Sequence, residues 1–151
     1  MLLDRPDSRK LAFPAMPALR TYDVFISHAW TYGDDYYRMV DMLDRAPNFA
    51  WRNFSVPEDD PLHGGTARQL RGGLDRQIRR VHIVLMLSGV YATYSDWMQE
   101  ELSLAGGYDK PIIGIFPWGS QRASSVVQSA ALEMVGWNTA SVVKAVRRHA
   151  I

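Results

Sequence analysis

No cysteine occurs among the 151 residues. That excludes disulfides, thiolate metal sites and cysteine nucleophiles, and it fits a reducing compartment. Net charge is nearly absent too. Seventeen Lys and Arg against sixteen Asp and Glu leave +1, so no global field draws the chain to nucleic acid or to an anionic membrane. There is no apolar run near the roughly 18 residues that a membrane-spanning helix needs. The opening "MLLDRPDSRKLAFPAMPAL" carries Asp4, Arg5 and Asp7 where a secretion signal would be basic and then apolar. These absences predict a cytoplasmic protein with neither nucleic acid nor membrane as partner. His63, His82 and His149 stand at no metal-ligand spacing, so no metal is expected. Repeats and low-complexity tracts are missing as well.

What remains is an ordinary globular composition, 47% hydrophobic and 22% charged, in a chain of one-domain length with enough residues for a core. Residues 1–20, with Pro6, Pro14 and Pro17, read as an irregular leader, and residues 21–151 as the domain. "YDVFISHAW" opens on β-formers suited to a strand buried on both faces. A helix is predicted over 34–45, with Tyr36, Met39, Val40 and Leu43 at helical spacing. "FAWRNFSVP" reads as a second strand ended by Pro57, followed by an exposed acidic loop, "EDDPLHGG". Thr66 can cap a second helix that turns Ala67, Leu70, Leu74 and Ile78 inward, although Gly72 and Gly73 weaken it by about 1 kcal/mol each. "VHIVLMLS" and "KPIIGIFPWG" are further strands, "LEMVGW" a short fifth, and 139–149 a closing helix.

Strands alternating with helices predict an α/β fold, a parallel sheet of four to five strands covered on both faces in three layers. In such sheets ligands bind beyond the carboxyl ends of the strands, where strand order reverses. "SHAW", "SVPEDD" and "SGVYATYSDW" fall there.

Within "TYSDWMQEEL" two glutamates stand side by side. Side chains three or four apart share a helix face. Tyr91, Tyr94, Trp97, Met98, Leu102 and Ala105 therefore form an apolar stripe with Glu101 in its middle, while Glu100 falls on the polar side with Thr93, Asp96 and Ser103. A carboxylate on a buried face must be hydrogen-bonded, paired, or open to a pocket. Glu101 is thus the candidate catalytic residue, with a buried salt bridge to an arginine of the second helix as its alternative.

"YDVFISHAW", "SVPEDDP" and "SDWMQEEL" together resemble the opening strand, mobile loop and tryptophan-to-glutamate signature of TIR domains. From about Thr21 to the end, including "PIIGI" and "GWNT", the chain is similar to the TIR-like subfamily of the Thoeris anti-phage system. Met98 departs from the cysteine common at that position, a buried one in either case. The resemblance implies a flavodoxin-like topology and cleavage of the nicotinamide–ribose bond of NAD, with NAD as substrate and no separate cofactor. It further implies an ADP-ribose-derived signal acting on a separate effector protein, and self-assembly through TIR–TIR contacts. Glu101 would be catalytic, and Phe25, Ile26, Ser27, His28, Trp30, Ser55 and Trp97 would line the nucleotide site. Such chemistry suits one buried carboxylate. The ribose left behind develops positive charge, and the nicotinamide, cationic while bonded, departs as a neutral molecule and needs no general acid.

Each residue has a plainer role open to it: strand core for Phe25 and Ile26, turn capping for Ser27, helix packing for Trp97. The loop "PEDDPLHGG" is expected to act as a gate, freed by Gly64 and Gly65. Two other readings share the predicted fold. One is a catalytically silent interaction module; the other is a nucleoside-processing transferase that also uses a glutamate. Arg68, Arg71, Arg76, Arg79 and Arg80 on one helix, and Lys144, Arg147 and Arg148 on another, read as solvated or partner-facing surface, diluted by Asp75 and the acidic loop.

Overall fold

The apolar runs become the middle of a sheet, and their burial sets the order of everything else. A computed structural model describes residues 19–27, 33–55, 67–88, 96–119 and 123–151, with side chains described from Asp34 in the first helix, from Gly72 in the second and from Met98 in the third. Among these residues the elements alternate without exception. They are β1 (Thr21–Ser27), α1 (Gly33–Arg45), β2 (Ala50–Asn53), α2 (Ala67–Arg80), β3 (Ile83–Leu87), α3 (Asp96–Gly107), β4 (Ile112–Ile115), α4 (Ser125–Ala130), β5 (Glu133–Val135) and α5 (Thr139–His149). The strands form one five-stranded sheet in the order β2-β1-β3-β4-β5. Every pairing is parallel. This is the flavodoxin-like arrangement, and its strand order reverses between β1 and β3.

Helices cover both faces because β3 and β4 are apolar on both. Each residue from Ile83 to Leu87 is buried, as is each from Ile112 to Ile115. One core lies beneath α1 and α5, where Tyr36, Met39, Leu43, Val142 and Val146 pack on Val24, Ile26, Leu85 and Ile113. The other lies beneath α2, α3 and α4, where Leu74, Ile78, Met98, Ala105 and Val127 pack on Phe25, Val84, Met86 and Ile112. Successive strand residues point to opposite faces, so neighbours such as Phe25 and Ile26 serve different cores.

Gly114 shows how closely the second core is filled. A Cβ there would collide with the thioether of Met134 and come within 3.0 Å of Val127 Cγ1. Beyond the two cores, Tyr108 donates to Asp75 at 2.6 Å, and Arg79 bonds the same carboxylate at 2.6 Å, tying the end of α3 to α2. The Tyr108 and Arg79 donors hold that carboxyl below the ordinary aspartate range, and the Tyr108 phenol is pushed up in return.

The second strand stops earlier than the sequence pattern predicts, at Asn53 instead of Pro57. Asn53 turns the chain itself, its Oδ1 accepting the Ser55 backbone N–H at 2.9 Å, as short amide side chains do where they compete with the sheet ladder. The short fifth strand near "LEMVGW" is present as Glu133–Val135. Thr66 and the loop "PEDDPLHGG" lie outside the described residues.

Candidate active site

Each of the first three strands ends in, or runs shortly into, a buried serine. Ser27 closes β1 and is 0% exposed, Ser55 follows β2 at 9%, and Ser88 follows β3 at 0%. Each hydroxyl is spoken for. Ser55 Oγ accepts the Ile26 backbone N–H at 2.9 Å, fastening the turn after β2 to the end of β1. Ser88 donates its hydroxyl to the Ile115 carbonyl, and its own carbonyl accepts the Ser124 N–H at 3.1 Å, fastening β3 to β4 and to the approach of α4. Behind Ser55, Asn53 donates to the Tyr36 hydroxyl at 2.8 Å, which brings α1 into the same network. Buried polar groups need such partners, and a fully satisfied network is rigid.

The Ser27 hydroxyl is different, because it donates to the Oε2 of Glu101. Glu101 sits in the second turn of α3 and is 3% exposed. On the same face Met98 and Ala105 are buried in the core, while Ser103 is exposed and Glu100 half-buried. The helical periodicity therefore separates the two glutamates as predicted, and Glu101 is the enclosed one. The strand order explains how serine and glutamate meet. β1 lies beside β3, and α3 packs on the face from which Phe25 points. The first turns of α3 consequently stand over the carboxyl end of β1, at the reversal of strand order.

A carboxylate taken out of water is costly, and a charge-assisted hydrogen bond from serine offsets part of that cost while fixing the rotamer. Little water remains to screen such a group. Its field on a neighbouring positive charge is several-fold stronger than at a surface. The arrangement can stabilise a cation or accept a proton at the mouth of the sheet.

The other sequence candidates divide. Phe25 and Ile26 are 1% exposed and occupy the two cores; their side chains form strand core instead of a wall toward ligand, and Ile26 contributes to the site through its backbone N–H. Ser27 and Ser55 are both at the carboxyl edge, but each hydroxyl faces protein. His28 and Trp30 lie outside the described residues, as do Tyr91 and Tyr94, and Trp97 is described only as part of α3. The sequence reading singled out none of Asn53, Tyr36 and Ser88 for the site: Tyr36 was placed only by helical spacing, and Ser88 only as the first residue of the crevice segment "SGVYATYSDW". The signal that could have found Ser88 is the shared ending of "VFIS" and "VLMLS". Among the described residues no cluster of His, Asp and Glu could hold a metal ion, and no helix is long and apolar enough to cross a membrane.

Comparison with known proteins bears on this geometry. A family model described as the TIR-like domain of Thoeris protein ThsB matches residues 25–122, a span that contains both Ser27 and Glu101. No curated protein matches the chain. Among solved structures the chain is similar to the Clostridium botulinum CMP N-glycosidase BcmB, with a TM-score of 0.52 at 14% identity, over 83% of this chain and 98% of that one. At that identity the likeness speaks to the fold.

Proposed function

The chain belongs to the Thoeris ThsB family of TIR-like domains, and we propose that it is an NAD-consuming enzyme whose buried Glu101 assists loss of nicotinamide. The observation that carries this reading is the serine-held carboxylate, 3% exposed, at the reversal point of the sheet. Departure of neutral nicotinamide leaves an oxocarbenium-like ribose. A single carboxylate, dry and already oriented, stabilises that charge without a second acid. The structural neighbour is an N-glycosidase, an enzyme of the same class of bond, which supports glycosidic cleavage as the reaction type.

After nicotinamide leaves, a site poor in water favours capture of the ribose by another nucleophile. The main product is then a cyclised or conjugated ADP-ribose species that signals to a separate effector protein, with free ADP-ribose minor. Self-assembly and a cytoplasmic location complete the reading.

The test incubates purified protein with NAD and, separately, with CMP, and identifies products by mass spectrometry. Release of nicotinamide from NAD by the wild type and Glu100→Gln, and its loss in Glu101→Gln, is the expected result. A cyclised product is lighter than ADP-ribose by one water, and a conjugate is heavier by its acceptor. Dominant ADP-ribose would overturn the product assignment alone. Turnover of CMP and not NAD would keep Glu101 but replace the substrate, and full activity in Glu101→Gln would remove the catalytic assignment.

A further inference from the structure

A cleft opens at the carboxyl edge, on the face of the sheet away from Glu101. Arg38 and Met42 of α1, Trp118 beyond β4, and Trp137, Asn138 and Thr139 at the start of α5 line a shallow, open cleft of about 550 Å³, a volume in the range of small-molecule sites. α1 and α5 belong to one core and α3 to the other, so the sheet itself separates this cleft from Glu101.

Its chemistry is specific. Trp118 is 65% exposed, whereas the other tryptophans with described side chains, Trp51 and Trp137, are half-buried. An indole left open in this way is a stacking platform, and among the described residues no ring stacks on it. The Arg38 guanidinium lies 5.5 Å from the Trp118 ring centroid. Among the described residues it makes no ion pair, and Asp41, three positions along α1, is taken up by Arg45 at 3.1 Å. Arg38 is therefore a planar fork of donors over one face of the indole, leaving the other face for a base, the combination that recognises a phosphate next to a base. Thr139 supplies a hydroxyl. The Asn138 side-chain oxygen already caps α5 by accepting the Ser141 N–H at 2.8 Å, which leaves the Asn138 amide N–H groups as further donors. Thr139 also borders an adjoining hollow carrying Lys144 and Arg147, so the flank of the cleft is positive.

We propose that this cleft binds a nucleoside monophosphate group, its base on the Trp118 indole and its phosphate on Arg38. A free aromatic base would use the indole and leave the guanidinium unmatched, and inorganic phosphate would do the reverse. A nucleotide satisfies both at once. The proposal does not rest on the NAD reading, since it uses no residue of the Glu101 site.

The test follows the tryptophan indole N–H resonances of the ¹⁵N-labelled protein, with Trp118 identified by its loss in Trp118→Phe. AMP, NAD, adenosine and inorganic phosphate are titrated separately. AMP should move the Trp118 resonance saturably. Arg38→Ala should weaken AMP binding about ten-fold or more and leave the weaker adenosine response unaltered, while Glu101→Gln leaves AMP binding intact. An equal response to NAD assigns the cleft to the adenylate end of a dinucleotide, and a response to AMP alone assigns it to free mononucleotides; either supports the site. The proposal is overturned if AMP leaves Trp118 unmoved, or if Arg38→Ala binds AMP as tightly as wild type. It is equally overturned if the Trp118 resonance shifts with protein concentration and ignores nucleotide, which would give the cleft to a second copy of the chain.

Discussion

Removing the Ser27 hydroxyl tests the site at its centre. Ser27→Ala deletes one oxygen from a position that is 0% exposed and leaves Glu101, 3% exposed, without the donor to its Oε2. Hydrogen bonds to charged groups contribute about 1.5–3 kcal/mol net, and Ser27→Ala takes one of them from Glu101. For a chain of 151 residues that corresponds to a fall in Tm of about 3–12 °C. Urea unfolding should show a lower midpoint with an unchanged slope, because the surface exposed on unfolding is the same.

The bare loss of stability would not identify the cause, so the substitution is repeated in a Glu101→Gln background. A neutral amide asks less of the serine, and Ser27→Ala should then cost only about 0.5–1.5 kcal/mol. The difference between the two backgrounds is the coupling between the side chains. Equal costs in both would refute a charge-assisted bond. On the proposed reading Ser27 works through Glu101 and not by touching substrate, so Ser27→Ala should lower kcat while KM changes little. A large rise in KM at unaltered kcat would make Ser27 a ligand contact instead.

Other expectations follow from single packing and titration details. Gly114→Ala forces a methyl against Met134 and Val127 and should cost about 1–3 kcal/mol by overpacking, read as a lowered Tm; an unchanged Tm would mean that Met134 moves aside freely. His82 accepts the Asp23 backbone N–H on Nδ1 at 2.9 Å, and burial holds its pKa below the ordinary histidine value, against the opposing pull of Asp23 and with Arg20, Lys110 and Arg52 adding to the depression. The unfolded chain then binds the proton more readily, so this contribution to stability is complete above about pH 6.5 and is lost as pH falls toward the depressed value. Unfolding midpoints between pH 7.5 and 5 should decline in wild type and decline less in His82→Gln, and parallel declines would exclude His82 as the source. Asn138→Ala removes the cap of α5 and should destabilise by about 1 kcal/mol, seen as faster amide exchange in the first turn of that helix.

The sequence made the layers legible because burial on both faces leaves little choice. "VFIS", "IVLML" and "IIGI" are too apolar to face water on either side, and a sheet of such strands must be parallel and covered. The short strands were harder to bound. Ala50–Asn53 ends on a side chain that bonds two residues ahead, a local competition that no periodicity records. Glu101 was legible for the opposite reason. An acid inside an apolar stripe is an inconsistency between local pattern and burial, and such conflicts concentrate at working sites.

The partner of Glu101 was not legible in the same way, because Ser27 stands 74 positions earlier and pairs with it only through the strand order. Pointed toward a ligand, as the resemblance to TIR domains implied, Ser27 would offer a proton to a ribose or phosphate oxygen. In the folded chain that proton is already given to Glu101. A serine hydroxyl has one hydrogen to donate; while it holds the carboxylate, Ser27 can only accept from a sugar hydroxyl and has nothing for a phosphate. The site therefore separates two tasks. If the substrate is the proposed dinucleotide, the end of β1 orients the charge that would face its ribose, and donors for its phosphates must come from elsewhere along the carboxyl edge.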